Sequence, residues 1–131
     1  MRKKIVAGNW KMNKDYAESK NLVTKLLNIC KPGKAEVIIA PPFINLLSSI
    51  KILEDSSIKV AAQNMHYADS GAYTGEISGS MLKSIGVEHV ILGHSERRAY
   101  FNETDELLSK KVDAALSNGM RIIFCFGEEL N

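Results

Sequence analysis

Two short stretches carry the side chains best suited to chemistry. The first is Gly8-Asn9-Trp10-Lys11-Met12-Asn13, which follows the apolar run Lys4-Ile5-Val6-Ala7-Gly8. If the extended geometry of that run continues, Asn9 and Lys11 share one face while Trp10 and Met12 share the other. An amide and an ammonium then point together into a cavity backed by apolar packing. The second is Leu92-Gly93-His94-Ser95-Glu96-Arg97-Arg98. Gly93 permits a sharp turn, His94 falls at the end of an apolar run, and Ser95 is placed to cap a helix that begins immediately after it. A helix N-terminus disfavours imidazolium, so His94 is expected to stay neutral and to donate a hydrogen bond as an uncharged electrophile. Asn9, Lys11 and neutral His94 together suit the stabilisation of an enolate-type oxyanion on a small anionic substrate.

The remaining candidates are weaker. His66 and His89 lack a comparable setting and read as structural or surface residues. No metal-ligand spacing, GxGxxG or P-loop phosphate cradle is present. Ser95 beside His94 reads as a helix cap, not as the nucleophile of a triad. Cys30 and Cys125 are far apart, without a CxxC partner, and read as reduced, packed thiols.

In α/β folds ligands gather at the carboxyl ends of the strands, so the elements that hold these residues matter. Five short β-branched runs, Lys4–Gly8, Glu36–Ala40, Ile58–Ala62, His89–Leu92 and Arg121–Phe126, suit parallel strands buried on both faces. Between them lie amphipathic stretches. Ser19, Leu22, Val23, Leu26, Leu27 and Cys30 form one helical face, ended by Pro32-Gly33. Leu46, Leu47, Ile50 and Leu53 form a second, reached through Pro41-Pro42. Leu108, Val112, Ala115 and Leu116 form another, with Asn102 or Thr104 able to cap it and Gly119 past its end. The roughly 30-residue spacing is that of βαβ units and predicts an α/β fold with a parallel sheet. Period alone does not separate an open doubly wound sheet from a piece of a barrel. The segment Asn64–Gly79, rich in Gly and Tyr, has neither period; its length and aromatic content favour a docking loop.

Composition sets the outer limits. The chain has 131 residues, 45% hydrophobic and 24% charged, the profile of one soluble globular domain. Its formal charge of +2 is far from the basic stripe that nucleic-acid binding requires. Met1-Arg2-Lys3-Lys4 has the charge of a signal-peptide start, but the apolar stretch behind it stops at Asn9. No run reaches the roughly 20 apolar residues of a transmembrane helix. A cytoplasmic protein that contacts neither membrane nor nucleic acid is expected.

Taken together, Ala7–Asn13, Ala62-Gln63-Asn64, Gly71–Ser78 and Leu92–Arg98 resemble the triosephosphate isomerase family, in the right order along the chain, with a fifth strand closing on Cys125-Phe126-Gly127-Glu128. The resemblance implies a (β/α)₈ barrel that interconverts dihydroxyacetone phosphate and glyceraldehyde 3-phosphate without a cofactor or metal. It implies that Lys11 steadies the anionic substrate and the enediolate, that Asn9 orients the substrate, and that His94 polarises the carbonyl and shuttles a proton between oxygens. Ser95 and Glu96 would support the site, Glu96 by contact with Lys11. The Asn64–Gly79 loop would insert into the second subunit of a homodimer, with Tyr73, Thr74 and Gly75 at its tip and Thr74 bracing the neighbour's Asn9 and Lys11.

The chain departs from the family in one respect. The family's Glu base after the sixth strand, its lid and its phosphate-gripping loops have no counterpart in residues 1–131, and neither Glu128 nor Glu129 can be assigned the base's role. The expectation is therefore the N-terminal part of a single barrel domain, with about five parallel strands and their helices, inactive alone. A non-catalytic half-barrel that serves as an interaction or assembly module is the alternative. A Schiff-base aldolase built on Lys11 is weaker still.

Overall fold

The computed structural model describes residues 2–127; the expectations placed on Glu128 and Glu129 lie outside that range. Five strands alternate with helices: β1 Lys4–Asn9, α1 Tyr16–Ile29, β2 Ala35–Ala40, α2 Leu46–Ile52, β3 Lys59–Ala62, α3 Gly79–Ser84, β4 His89–Leu92, α4 Ser95–Tyr100, α5 Asp105–Ser117 and β5 Arg121–Phe124. All strand pairs are parallel and the order is β1-β2-β3-β4-β5. The sheet curls into part of a (β/α)₈ barrel.

Strand alternation separates two cores. Ile39, Val60, Ala62, Val90 and Leu92 face the helices and pack with Val23, Leu46, Leu53, Leu82 and Ala115. Ile38, Ala40, Ala61 and Ile91 face the inside of the curl and pack with Ile123 and Cys125. The pairings Ile38↔Lys59, Ala61↔His89 and His89↔Arg121 carry the inner face across the sheet. Strands covered on both sides need apolar residues at consecutive positions, which is why these runs lack alternation. The edge strand β1 differs: Ile5 is 49% and Val6 61% exposed.

At the N-terminal ends of the strands, Glu36 of β2 is buried inside the curl. Its carboxylate lies 2.7 Å from the Lys3 Nζ, 3.4 Å from an Arg121 guanidinium nitrogen and 3.6 Å from His89 Nε2. The hydrogen bond from Lys3 holds Glu36 below the usual carboxylate range. Burial, aided by Arg121, pushes His89 down. His89 is thus a structural residue of the barrel interior.

Local details differ from the sequence reading for identifiable reasons. Asp15 and Glu18 form a reciprocal capping box at α1, and the helix stops at Ile29, before the Pro32-Gly33 pair. A single 3₁₀ turn, Phe43–Asn45, leads into α2, and Leu47 lies half-exposed on that helix. Helix α3 is too short to show a period, and it begins at Gly79 with Ser78 as its cap. Thr104, not Asn102, caps α5, and Gly119 follows at φ +65°. Strand β5 ends at Phe124, two residues short of the apolar run. No helix among the described residues is long and apolar enough to cross a membrane.

Candidate active site

The first strand delivers Asn9 to the inner face at its carboxyl end, paired with Ala40. The extended path does not continue through Lys11, which sits at φ +55°, a region that costs a non-glycine residue about 1 kcal/mol or more. Three contacts hold it there. The Lys11 N–H donates to Asn9 Oδ1 at 2.9 Å. Gln63 Nε2 donates to the Lys11 carbonyl at 2.9 Å and to the Ala40 carbonyl at 2.8 Å. The Lys11 ammonium donates to Glu96 Oε1 at 2.5 Å. The left-handed residue also breaks the expected pairing of Trp10 with Met12: Trp10 packs on the helix-facing core, whereas Met12 is 95% exposed.

The turn after β4 delivers His94. Its Nδ1 accepts the Glu96 backbone N–H at 3.2 Å, so His94 itself is the cap of α4 and Ser95 is the first helical residue. The helix starts one residue earlier than Ser95 as a cap requires, and that expectation is corrected. An Nδ1 that accepts a hydrogen bond must carry a lone pair, which assigns the ring proton to Nε2. The imidazole therefore presents an N–H donor from its far side.

Glu96 joins the two stretches. One oxygen holds Lys11, and the other lies 3.6 Å from His94 Nδ1. The hydrogen bond from Lys11 keeps this carboxyl below the usual range, against the opposing effect of burial. Asn9, Lys11, Gln63, His94 and Glu96 line one open cleft of about 310 Å³, with Phe101 on its rim. Among the described residues that line it, Glu96 is the single carboxylate. The arrangement offers an ammonium and an imidazole N–H to an anionic, oxygen-rich guest.

A buried network behind the cleft escaped the sequence reading. Lys111 Nζ donates to Asn64 Oδ1 at 2.9 Å and to Glu103, and Arg97 Nε donates to the same Glu103 oxygen at 2.8 Å. Burial pushes Glu103 up, but Lys111 and Arg97 outweigh it and keep the carboxyl below its usual range. The available signal was Lys111 on the apolar stripe of α5, between Leu108 and Ala115.

The Asn64–Gly79 segment is ordered by its own side chains, not by helical or strand repeats. His66 stacks at 4.3 Å on both Tyr67 and Tyr73, and the His66 N–H donates to the Ile77 carbonyl at 2.8 Å. Met65 is buried in the core and Gly79 belongs to α3. Tyr73, Thr74 and Gly75 form an exposed tip outside the cleft.

Comparison with known proteins gives concordant matches. The family model for triosephosphate isomerase matches residues 4–131. The chain is 61% identical over 131 residues to a triosephosphate isomerase of Flavobacterium psychrophilum, covering 99% of this chain and 52% of that protein. It is 56% identical to the corresponding protein of Flavobacterium johnsoniae, with 99% and 52% covered. Against that of Caldanaerobacter subterraneus the identity is 50%, with 100% and 53% covered. The chain spans about half the length of the curated relatives it matches.

Proposed function

The chain belongs to the triosephosphate isomerase family, and from that premise we propose that its cleft is the electrophilic half of a triose-phosphate isomerase site, acting on dihydroxyacetone phosphate and glyceraldehyde 3-phosphate. The observation that carries the reading is Nδ1 of His94 accepting the Glu96 N–H. That contact occupies Nδ1 as an acceptor and leaves Nε2 as the ring donor that can polarise a carbonyl. The neutral imidazole electrophile is the family's known device; the hydrogen bond at Nδ1 is its support in this chain. Lys11 supplies positive charge where the enediolate oxygen and the phosphate carry negative charge. Asn9 and Gln63 hold the Lys11 backbone, Glu96 holds its ammonium, and Ser95 opens the helix that His94 caps. No cofactor enters this scheme.

Proton abstraction needs a carboxylate free to act as base, and Glu96 is engaged by Lys11. We infer that residues 1–131 alone do not turn over triose phosphates and need the remaining strands of a barrel. An interaction module is the less supported reading, since it leaves the Lys11–Glu96–His94 arrangement without a purpose. A Schiff-base role for Lys11 fits poorly with an ammonium held at 2.5 Å by a carboxylate. The exposed Tyr73-Thr74-Gly75 tip fits the role of a dimer-forming loop that reaches a second copy near Asn9 and Lys11.

Reconstitution tests the function. Mixed with the C-terminal portion of one of the relatives, the chain should gain isomerase activity in a coupled assay. In that complex Lys11→Ala and His94→Gln should each lower kcat by about 10²-fold or more, with little change in unfolding midpoint. A folded complex that shows no turnover would defeat the proposal.

A further inference from the structure

We propose that Arg98 is the positioning residue for His94, acting through the Gly93 carbonyl; the role rests on the reading of His94 as the electrophile. Arg98 lies on α4, one turn beyond His94, and folds its guanidinium back over the ends of β4 and β5. Its Nε donates to the Gly93 carbonyl at 2.8 Å and one Nη to the Cys125 carbonyl at 3.1 Å. The other Nη donates to Asp105 Oδ1 at 2.8 Å, and the group lies 5.8 Å from the centre of the Phe124 ring. One planar group thus joins the residue immediately before His94 to the end of the neighbouring strand.

Gly93 shows how closely this turn is built. It sits at φ +76°, and a Cβ there would lie 2.9 Å from both Arg98 Nη2 and the Cys125 carbonyl oxygen. The turn therefore needs both the left-handed freedom of glycine and its missing side chain. His94 takes its direction from the turn. Its carbonyl accepts from the Arg97 and Arg98 N–H groups at 2.9 and 3.1 Å, and its Nδ1 meets the Glu96 N–H only while this geometry holds. Asp105 is 92% exposed in its side chain, so that ion pair contributes little. The two carbonyl contacts carry the role, and a lysine cannot reproduce them with a single ammonium nitrogen.

The test uses the 131-residue chain with ¹⁵N-labelled histidine, observing the imidazole nitrogens of His66, His89 and His94. Arg98→Lys, Arg98→Met and Asp105→Asn are compared with the parent, each checked by circular dichroism and urea unfolding. The parent and Asp105→Asn should show His94 in one tautomer, protonated at Nε2. Arg98→Lys and Arg98→Met should move His94 alone toward a tautomer mixture, and in the reconstituted protein kcat should fall about 10- to 100-fold with KM little changed. If Arg98→Met does not fold, Arg98→Lys decides. A folded Arg98→Lys with the parent His94 signal, or equal disturbance of all three histidines, overturns the proposal. The tautomer readout is independent of turnover, so a reconstituted protein without isomerase activity would overturn the function proposed above and not the role of Arg98.

Discussion

Lys11 is held in one backbone conformation by three groups of the cleft. A lysine has no intrinsic preference for φ +55°, so the surrounding groups must over-determine it. Asn9 occupies its N–H, Gln63 its carbonyl and Glu96 its ammonium. Gln63 also satisfies the Ala40 carbonyl, on a residue only 2% exposed, and thereby joins two strand ends. Gln63→Leu should leave the Lys11 carbonyl without its amide donor and the Ala40 carbonyl with the Trp10 N–H alone, and lower stability by about 0.5–1.5 kcal/mol in urea titration. An unchanged midpoint would show that water replaces the amide and that Gln63 does not hold Lys11. The residue types of this site were readable in the sequence: an amide, an ammonium and a histidine flanking two apolar runs. Their geometry was not. Extended spacing placed Lys11 opposite Met12, and only the left-handed turn explains why Met12 stands in solvent. Ser95 is a favoured cap type, yet the helix takes the neighbouring imidazole because His94 is where the turn after Gly93 ends.

Among the elements, the strands were the most readable because burial on both faces demands continuous apolar runs. Helix α3 was not, since six residues give less than two turns of pattern. The ionic groups inside the curl were equally hidden, because Glu36, His89 and Arg121 lie on three different strands and meet only when the sheet curls. Their titration predicts a pH dependence. Glu36 is held down by Lys3, so its stabilisation is present above the ordinary carboxylate range, about pH 4.3, and is lost as pH falls through its lower folded value. His89 is held down by burial among Glu36, Glu88, Lys59 and Arg121. The unfolded chain therefore binds a proton near pH 6.5 that the folded one resists, and stability falls as pH drops below that value. Urea midpoints measured from pH 4 to 8 should rise with pH and flatten above about 7, and His89→Phe should flatten the upper part of the rise. A His89→Phe variant that keeps the full slope would assign the dependence elsewhere.

As a whole molecule, the five-stranded sheet presents strand β1 with Ile5 and Val6 exposed, and Phe124 of β5 is 43% exposed. Unpaired strand edges with apolar side chains favour pairing with another chain. Sedimentation of the 131-residue polypeptide should show a mass that increases with concentration. Adding the C-terminal portion of a relative should replace that distribution with one discrete species. A single monomeric species at every concentration would mean that the sheet does not need its neighbours. The fold and family thus accord with the described residues, and the chain spans about half the length of the relatives it matches. Deuterium exchange measures the proposed stabilisation of an enediolate by Lys11 and His94 without relying on net turnover. In heavy water the reconstituted protein should wash deuterium into the carbon-bound position of dihydroxyacetone phosphate, at a rate that Lys11→Ala and His94→Gln each reduce by about 10²-fold or more. Exchange that proceeds at the parent rate in both folded variants would mean that neither side chain stabilises an enediolate.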